Sequence, residues 1–292
     1  MVREVLELLD PRGDQLVVDC TLGLGGHSEA LLEREGFSGR VIGVDRDREA
    51  LGRAGERLKR FGTRFTGVHG SFGRIGQVLE GLGCEAADAL LFDLGVSSMQ
   101  LDDAARGFSF RQEGPLDMRM DPSRGPSAAD LISELDAAEL ARVFREYGEE
   151  RRSRRAAEAI VRARESGEIT TTVRLAEIVR KAVGGRAGRI DPATRVFQGL
   201  RIAVNDELGE IKRGLTAGAA LLRPGGRLAA ISFHSLEDRI VKRFLRELAG
   251  RGASLLTGKP RSASPEEVAA NPRARSAKLR AARMAGGEGE AA

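Results

Sequence analysis

Three acidic residues stand where an open α/β sheet does its chemistry. Asp19, Asp45 and Asp93 each close a short apolar run: Leu16-Val17-Val18-Asp19, Val41-Ile42-Gly43-Val44-Asp45 and Leu90-Leu91-Phe92-Asp93. Ligands in such sheets bind beyond the carboxyl ends of the strands, so three acids at three strand ends point to one site. After the first acid comes Thr21-Leu22-Gly23-Leu24-Gly25-Gly26-His27-Ser28, a glycine turn that lets backbone approach a ligand closely. The dinucleotide fingerprint needs a third glycine at position 28, which is Ser28, and this disfavours a nicotinamide dehydrogenase. Asp45 takes the place of the acid that accepts hydrogen bonds from a ribose. A small turn and a ribose acceptor without a pyrophosphate cradle fit S-adenosyl-L-methionine. A carboxylate such as Asp19 or Asp93 beside its cationic sulfonium is electrostatically favourable.

These residues need a scaffold. Apolar, mostly β-branched or leucine-rich runs at 16–20, 40–45, 64–69 and 88–93 read as strands, and 28–34 and 48–60 between them read as helices. Strands alternating with helices imply right-handed βαβ units and a parallel sheet. From about residue 108 to 215 the strand rhythm stops. Helices are expected at 127–135, capped by Ser127, at 149–165 and at 172–183, with another starting at Asp136. Asp191-Pro192 opens one long helix on which Val196, Leu200, Val204, Leu208, Ile211 and Leu215 recur at helical spacing. A strand returns after Pro224-Gly225-Gly226, followed by a helix over 236–248. The expected organisation is therefore a Rossmann-like domain of residues 1–107 and 216–292, with a helical, substrate-recognising insert at 108–215. The tail from about residue 260 is poor in large apolar groups and reads as partly disordered.

Composition bounds the function classes. The chain has 292 residues, a net charge of +4 and 41% hydrophobic residues, enough for a large core and compatible with an anionic partner such as nucleic acid. Cys20 and Cys84 read as reduced core thiols, without a disulfide framework or a cysteine-held metal. The start, Met1-Val2-Arg3-Glu4-Val5, has no signal-peptide core, and no run approaches the ~20 apolar residues of a membrane span. A cytoplasmic protein with no membrane partner is expected; monomer and homodimer stay equally open.

With these residues in view, the chain resembles the bacterial 16S ribosomal RNA (cytosine-N4)-methyltransferase family, ribosomal RNA small subunit methyltransferase H. The resemblance rests on the glycine turn, Gly43-Val44-Asp45-Arg46-Asp47, Asp93-Leu94-Gly95-Val96-Ser97-Ser98-Met99-Gln100-Leu101-Asp102 and Arg106-Gly107-Phe108-Ser109-Phe110. Gly114-Pro115-Leu116-Asp117-Met118-Arg119-Met120-Asp121, Tyr147-Gly148-Glu149-Glu150 and Ala193-Thr194-Arg195-Val196-Phe197-Gln198 extend it. Ile231-Ser232-Phe233-His234-Ser235-Leu236-Glu237-Asp238-Arg239 and Asn271-Pro272-Arg273-Ala274-Arg275-Ser276 complete it. It implies a class I methyltransferase that uses S-adenosyl-L-methionine to methylate the exocyclic N4 of a cytidine in the decoding region of 16S rRNA, with 16S rRNA or the small ribosomal subunit as partner and both naked RNA and the assembled subunit open as the substrate form. It also implies the cofactor contacts: Gly25, Gly26 and His27 on the methionine side, Asp45 on the ribose, Phe72 against adenine, and Asp93 and Gln100 completing the pocket. Plain core packing is the lesser alternative for Phe72. The family's chains usually start with a longer arm carrying a His-x-Pro-Val-like segment before the first helix, whereas this sequence starts at Met1 inside that helix, so a loss of contacts to cofactor or RNA is expected.

Transfer to an exocyclic amine needs in-line positioning and a hydrogen-bond acceptor, and no covalent intermediate. Asp93, or the loop at residues 94–98, is the candidate acceptor. His234, past the returning strand, is a candidate for the same chemistry or a structural hydrogen bonder. Phe108 or Phe110 could stack an extruded base or simply pack. His69 reads as structural, and no metal-ligand spacing is recognised. Arg151, Arg152, Arg154 and Arg155, and Arg273, Arg275, Lys278, Arg280 and Arg283 in the tail, are expected phosphate contacts. The competing readings are methylation of another nucleic acid and a non-catalytic RNA-binding assembly factor.

Overall fold

The computed structural model describes residues 1–184 and 191–286. They form two compact units, Met1–Gly95 with Leu208–Ala292, and Val96–Glu207.

The first unit is built on one sheet. Its strands are β1 (Leu16–Asp19), β2 (Arg40–Asp45), β3 (Phe65–His69), β4 (Ala87–Asp93), β5 (Leu222–Ser232), β6 (Ser254–Leu255), β7 (Arg261–Ser262) and β8 (Lys278–Arg283). They run in the order β3-β2-β1-β4-β5-β8-β6, with β7 also paired to β8. β1 to β5 are parallel, and β8 is antiparallel to β5. The order reverses between β1 and β4, the switch point at which such sheets bind ligands. This is the Rossmann-like class I methyltransferase fold, interrupted by a helical insert.

The central strands read as near-continuous apolar runs because both of their faces are covered. Val18, Ile42, Val44, Leu90, Phe92, Leu228 and Ala230 point to one side, where they meet the helices Ile75–Gly81, Glu207–Leu221 and Ser235–Ala249. The alternate residues Val17, Val41, Leu91, Ala229 and Ile231 point to the other, against Val2–Leu9, Gly26–Leu32 and Arg48–Leu58. The two-residue side-chain period of a strand makes that division.

Two boundaries differ from expectation. The second unit starts at Val96 rather than 108, because Val96, Leu101 and Phe108 pack with its helices. It ends at Glu207 rather than 215, because the long helix breaks. Pro192–Asn205 stops at Asp206, which is left-handed with φ 47°, and Glu207–Leu221 begins anew. Ile211 and Leu215 then join the core of the first unit. Asn205 explains the stop: its amide donates to Met118 O at 2.7 Å and accepts from Met120 N at 2.8 Å. It thereby closes the backbone of the Leu116-Asp117-Met118-Arg119-Met120 motif.

The tail is the larger correction. Residues 261–283 are folded: β7, the helix Pro265–Ala270, a 3₁₀ turn at Pro272–Ser276, and β8 within the sheet. Leu279, Ala281 and Ala282 are buried. Residues 287–292, the end of the tail expected to be disordered, lie outside the described residues. Among the described residues no helix is long and apolar enough to cross a membrane.

Candidate active site

The polar residues of the first unit gather at the carboxyl ends of β1, β2 and β4. Asp19, 1% exposed, ends β1. Its two oxygens accept from Ser28 Oγ at 2.8 Å and Thr21 N at 3.2 Å. Thr21 Oγ1 in turn accepts from Asp93 N at 2.6 Å, and Leu94 N donates to Ile231 O at 3.0 Å. The ends of β1, β4 and β5 are thus fastened together before any ligand arrives.

His27 sits in the first turn of Gly26–Leu32 and reaches Asp93. Its Nε2 lies 3.4 Å from Asp93 Oδ2. Burial pulls the His27 pKa down, but the hydrogen bond and charge of Asp93, with the charge of Asp19, outweigh it and leave the pKa above its ordinary value. Burial pushes Asp19 up to about 6, against the lowering effects of His27, Ser28 and Thr21. Two atoms of this group, His27 Nδ1 and Asp93 Oδ1, are buried without a hydrogen-bond partner. Buried polar atoms are rarely left so, and a pair of them marks where a ligand would complete the network.

Gly25 sets the turn. It is left-handed with φ 79°, and a Cβ there would stand 3.0 Å from Leu58 Cδ1 and 3.3 Å from Ala54 Cβ. Asp45 closes the loop from the other side, accepting from Gly23 N at 2.7 Å and Asp47 N at 2.8 Å. Each carboxylate oxygen has a second lone pair to offer a ligand hydroxyl. Burial raises the Asp45 pKa despite those two donors.

Phe72 follows β3 in a short 3₁₀ turn capped by Ser71. Its ring meets Phe92 edge-on at 5.8 Å, and the Arg46 guanidinium lies 5.9 Å from its centre. His69 is held by its Nε2, 3.0 Å from Arg46 O. His234 caps Ser235–Ala249 beyond β5, its Nε2 3.2 Å from Oε1 of the fully buried Glu237. Glu237 also accepts from Phe233 N at 2.8 Å, so it fixes the chain as it leaves β5.

The first unit therefore brings together Gly25, Gly26, His27, Asp45 and Asp93. Gln100 belongs to the second unit, where it is buried and its Oε1 accepts from Ser97 N at 3.1 Å in a capping box. Phe108 is buried in that unit's core, and Phe110 packs edge-on against Phe197 at 4.8 Å. Packing is the reading of both rings. The tail cations divide: Arg280 is 8% exposed and bonds Asp238 at 2.7 Å, and Lys278 reaches the same carboxylate at 3.4 Å. Arg280 is thus a structural ion pair rather than a phosphate contact. Cys20 and Cys84 are buried free thiols. Sequence reasoning missed Thr21 and Ser28, whose hydroxyls tie the acids in place. Their only signal was a polar residue on either side of the glycines.

The model of the MraW methylase family matches residues 1–285. The ribosomal RNA small subunit methyltransferase H of Sorangium cellulosum is 57% identical over 286 residues, covering 98% of this chain and 90% of its own. The protein of that name from Trichlorobacter lovleyi is 51% identical over 305 residues, covering 98% and 97%. That from Maricaulis maris is 51% identical over 300 residues, covering 97% and 89%. The resemblance carried by the motifs is borne out along nearly the whole chain, and the chain belongs to the MraW methylase family.

Proposed function

We propose that this protein transfers the methyl group of S-adenosyl-L-methionine to the exocyclic N4 of a cytidine in 16S rRNA. The observation that carries the reading is the His27–Asp93 pair near Asp19 at the switch point, with its two unpartnered buried atoms. Family membership supports methyl transfer, and the relatives' names support small-subunit rRNA as the substrate. A cytoplasmic location and the ribosomal subunit as partner follow from that substrate.

The donor set fits the cofactor. His27 Nδ1, buried without a partner, is open to a polar group of the methionine end, and Gly25 and Gly26 leave room for backbone contact. Asp45 keeps lone pairs for ribose hydroxyls, and Phe72 offers an aromatic surface at the adenine end. When bound, the cofactor supplies an electrophilic methyl group on a sulfonium.

The protein's part is positioning and proton handling. The N4 lone pair of cytosine is delocalised into the ring, so an acceptor on the amine hydrogen makes it more available. Asp93 is the catalytic candidate: Oδ2 is anchored on His27, which leaves Oδ1 to accept from the amine. As the N–C bond forms, N4 loses a proton, which Asp93 receives or passes to water. His27 is a positioning residue that holds the carboxylate in one orientation. His234, whose two ring nitrogens are buried without a hydrogen-bond partner, is the second candidate to orient the base. No nucleophile is required, in keeping with both cysteines being buried.

Incubation with radiolabelled S-adenosyl-L-methionine and small subunits from cells lacking the modification tests the reading. Label should enter 16S rRNA. Label entering only transfer RNA or DNA would transfer the site to another nucleic acid, and failure to bind the cofactor would leave a non-catalytic factor.

A further inference from the structure

In the second unit, the helix Ser153–Glu165 has a groove on each flank. Toward Thr172–Val183, Arg155, Arg162, Arg174 and Lys181 line a groove of about 390 Å³, with Glu158 as its acid. Toward Ala137–Glu146, Arg142, Arg145 and Arg154 line another of about 600 Å³, with Glu139 and the same Glu158. All seven cationic side chains are exposed. Arg162 lies 3.9 Å from Glu158 and Arg145 lies 3.8 Å from Glu146. The other five have no ion-pair partner among the described residues. Uncompensated cations repel one another, and such a row is relieved by a polyanion.

The shape points to a chain rather than a point anion. Arg155 and Arg162 are two helical turns apart, about 10 Å along the axis, and the cations line both grooves. No aromatic side chain lines either groove, so nothing there would stack a base, whereas guanidinium forks suit phosphate oxygens. We propose that these paired grooves seat the sugar–phosphate backbone of the substrate rRNA, anchoring it without reading its bases. The proposal rests on the rRNA substrate proposed above and assigns where that RNA is held.

The test is the salt dependence of binding to a 16S rRNA fragment by the full chain, wild type against Arg155→Gln/Arg174→Gln/Lys181→Gln. Three phosphate contacts on a single strand change the log–log salt slope by about 2. The wild-type advantage should therefore shrink about 20-fold between 50 and 200 mM salt. Cofactor affinity should stay unchanged, since none of the substituted residues is among the cofactor contacts. Should the triple variant fail to fold, Lys181→Glu alone should weaken binding at low salt. Equal slopes would overturn the proposal while leaving methyl transfer intact. So would an equal effect from Lys242→Gln/Arg243→Gln/Arg246→Gln, which reduces the matter to net charge. Loss on assembled subunits with none on naked RNA would give the grooves to a ribosomal protein. A wild type that neither binds nor methylates rRNA sinks the substrate reading, and the grooves' assignment with it.

Discussion

Asp19→Asn tests the electrostatics of the site through stability. Burial raises the Asp19 pKa from 3.8 to about 6. A carboxyl whose folded pKa exceeds its unfolded value makes the folded state bind more protons between the two. Stability therefore falls as pH rises through that window and stays lower above it. The shift of about 2 units corresponds to about 3 kcal/mol. About 1 kcal/mol of it is already lost at pH 4.5, which leaves about 2 kcal/mol to be read between pH 4.5 and 7.5. The amide keeps the shape and does not titrate, so the variant's stability relative to wild type should rise by that amount across the window. Taking the difference removes groups of opposite sign. Asp238 is one: burial raises its pKa, but Arg280 and Lys278 outweigh it, so its contribution is lost as pH falls. His27 loses the pKa-raising charge of Asp19 in the variant, which adds to the rise at its upper end. Urea unfolding followed by far-ultraviolet circular dichroism in half-unit pH steps is the assay. A difference flat to within about 0.5 kcal/mol would refute the reasoning, because it would mean that Asp19 titrates as a solvated carboxyl.

Gly25→Ala combines the left-handed backbone cost with crowding against Leu58, so stability should drop by about 2–3 kcal/mol and titration calorimetry should show at least a tenfold loss of cofactor affinity. Asp93→Asn should lower the turnover number on small subunits by about a hundredfold or more; unchanged turnover and unchanged cofactor affinity together would remove Asp93 from the mechanism. Arg280→Met strands Asp238 with Lys278 alone, and urea unfolding should show a loss near the low end of about 3–5 kcal/mol, where a solvated tail residue would give almost none.

The parts of the fold legible in the sequence were those with strong local periodicity. β1, β2 and β4 are apolar runs closed by an acid, and Ser127, Asp136 and Asp191 cap helices where their short polar side chains predict. β8 was hidden because Lys278-Leu279-Arg280-Ala281-Ala282-Arg283 carries three cations and one large apolar residue. Only Asp238, 42 positions from Arg280 in sequence, makes its burial affordable. The break after Asn205 was hidden for a similar reason: the hydrophobic spacing runs straight through it, while the cause is a pair of bonds to residues 85 and 87 positions away. At the site, the acids were visible because strand ends can be counted. Their mutual geometry was not, because it depends on Thr21, His27 and Ser28, all after β1, reaching acids at the ends of two different strands. The same limit applies to the arginines. A count of positive residues groups Arg280 with Arg155, whereas the fold buries one against an acid and leaves the other exposed on a groove.

The central claim is methyl transfer to the exocyclic amine of a cytidine, and the most direct measurement is the identity of the product nucleoside. Small subunits lacking the modification, treated with the protein and isotopically labelled S-adenosyl-L-methionine, should yield 16S rRNA that digests to labelled N4-methylcytidine by mass spectrometry. Label on C5 of cytosine, on a ribose, on another base, or nowhere in 16S rRNA would contradict it.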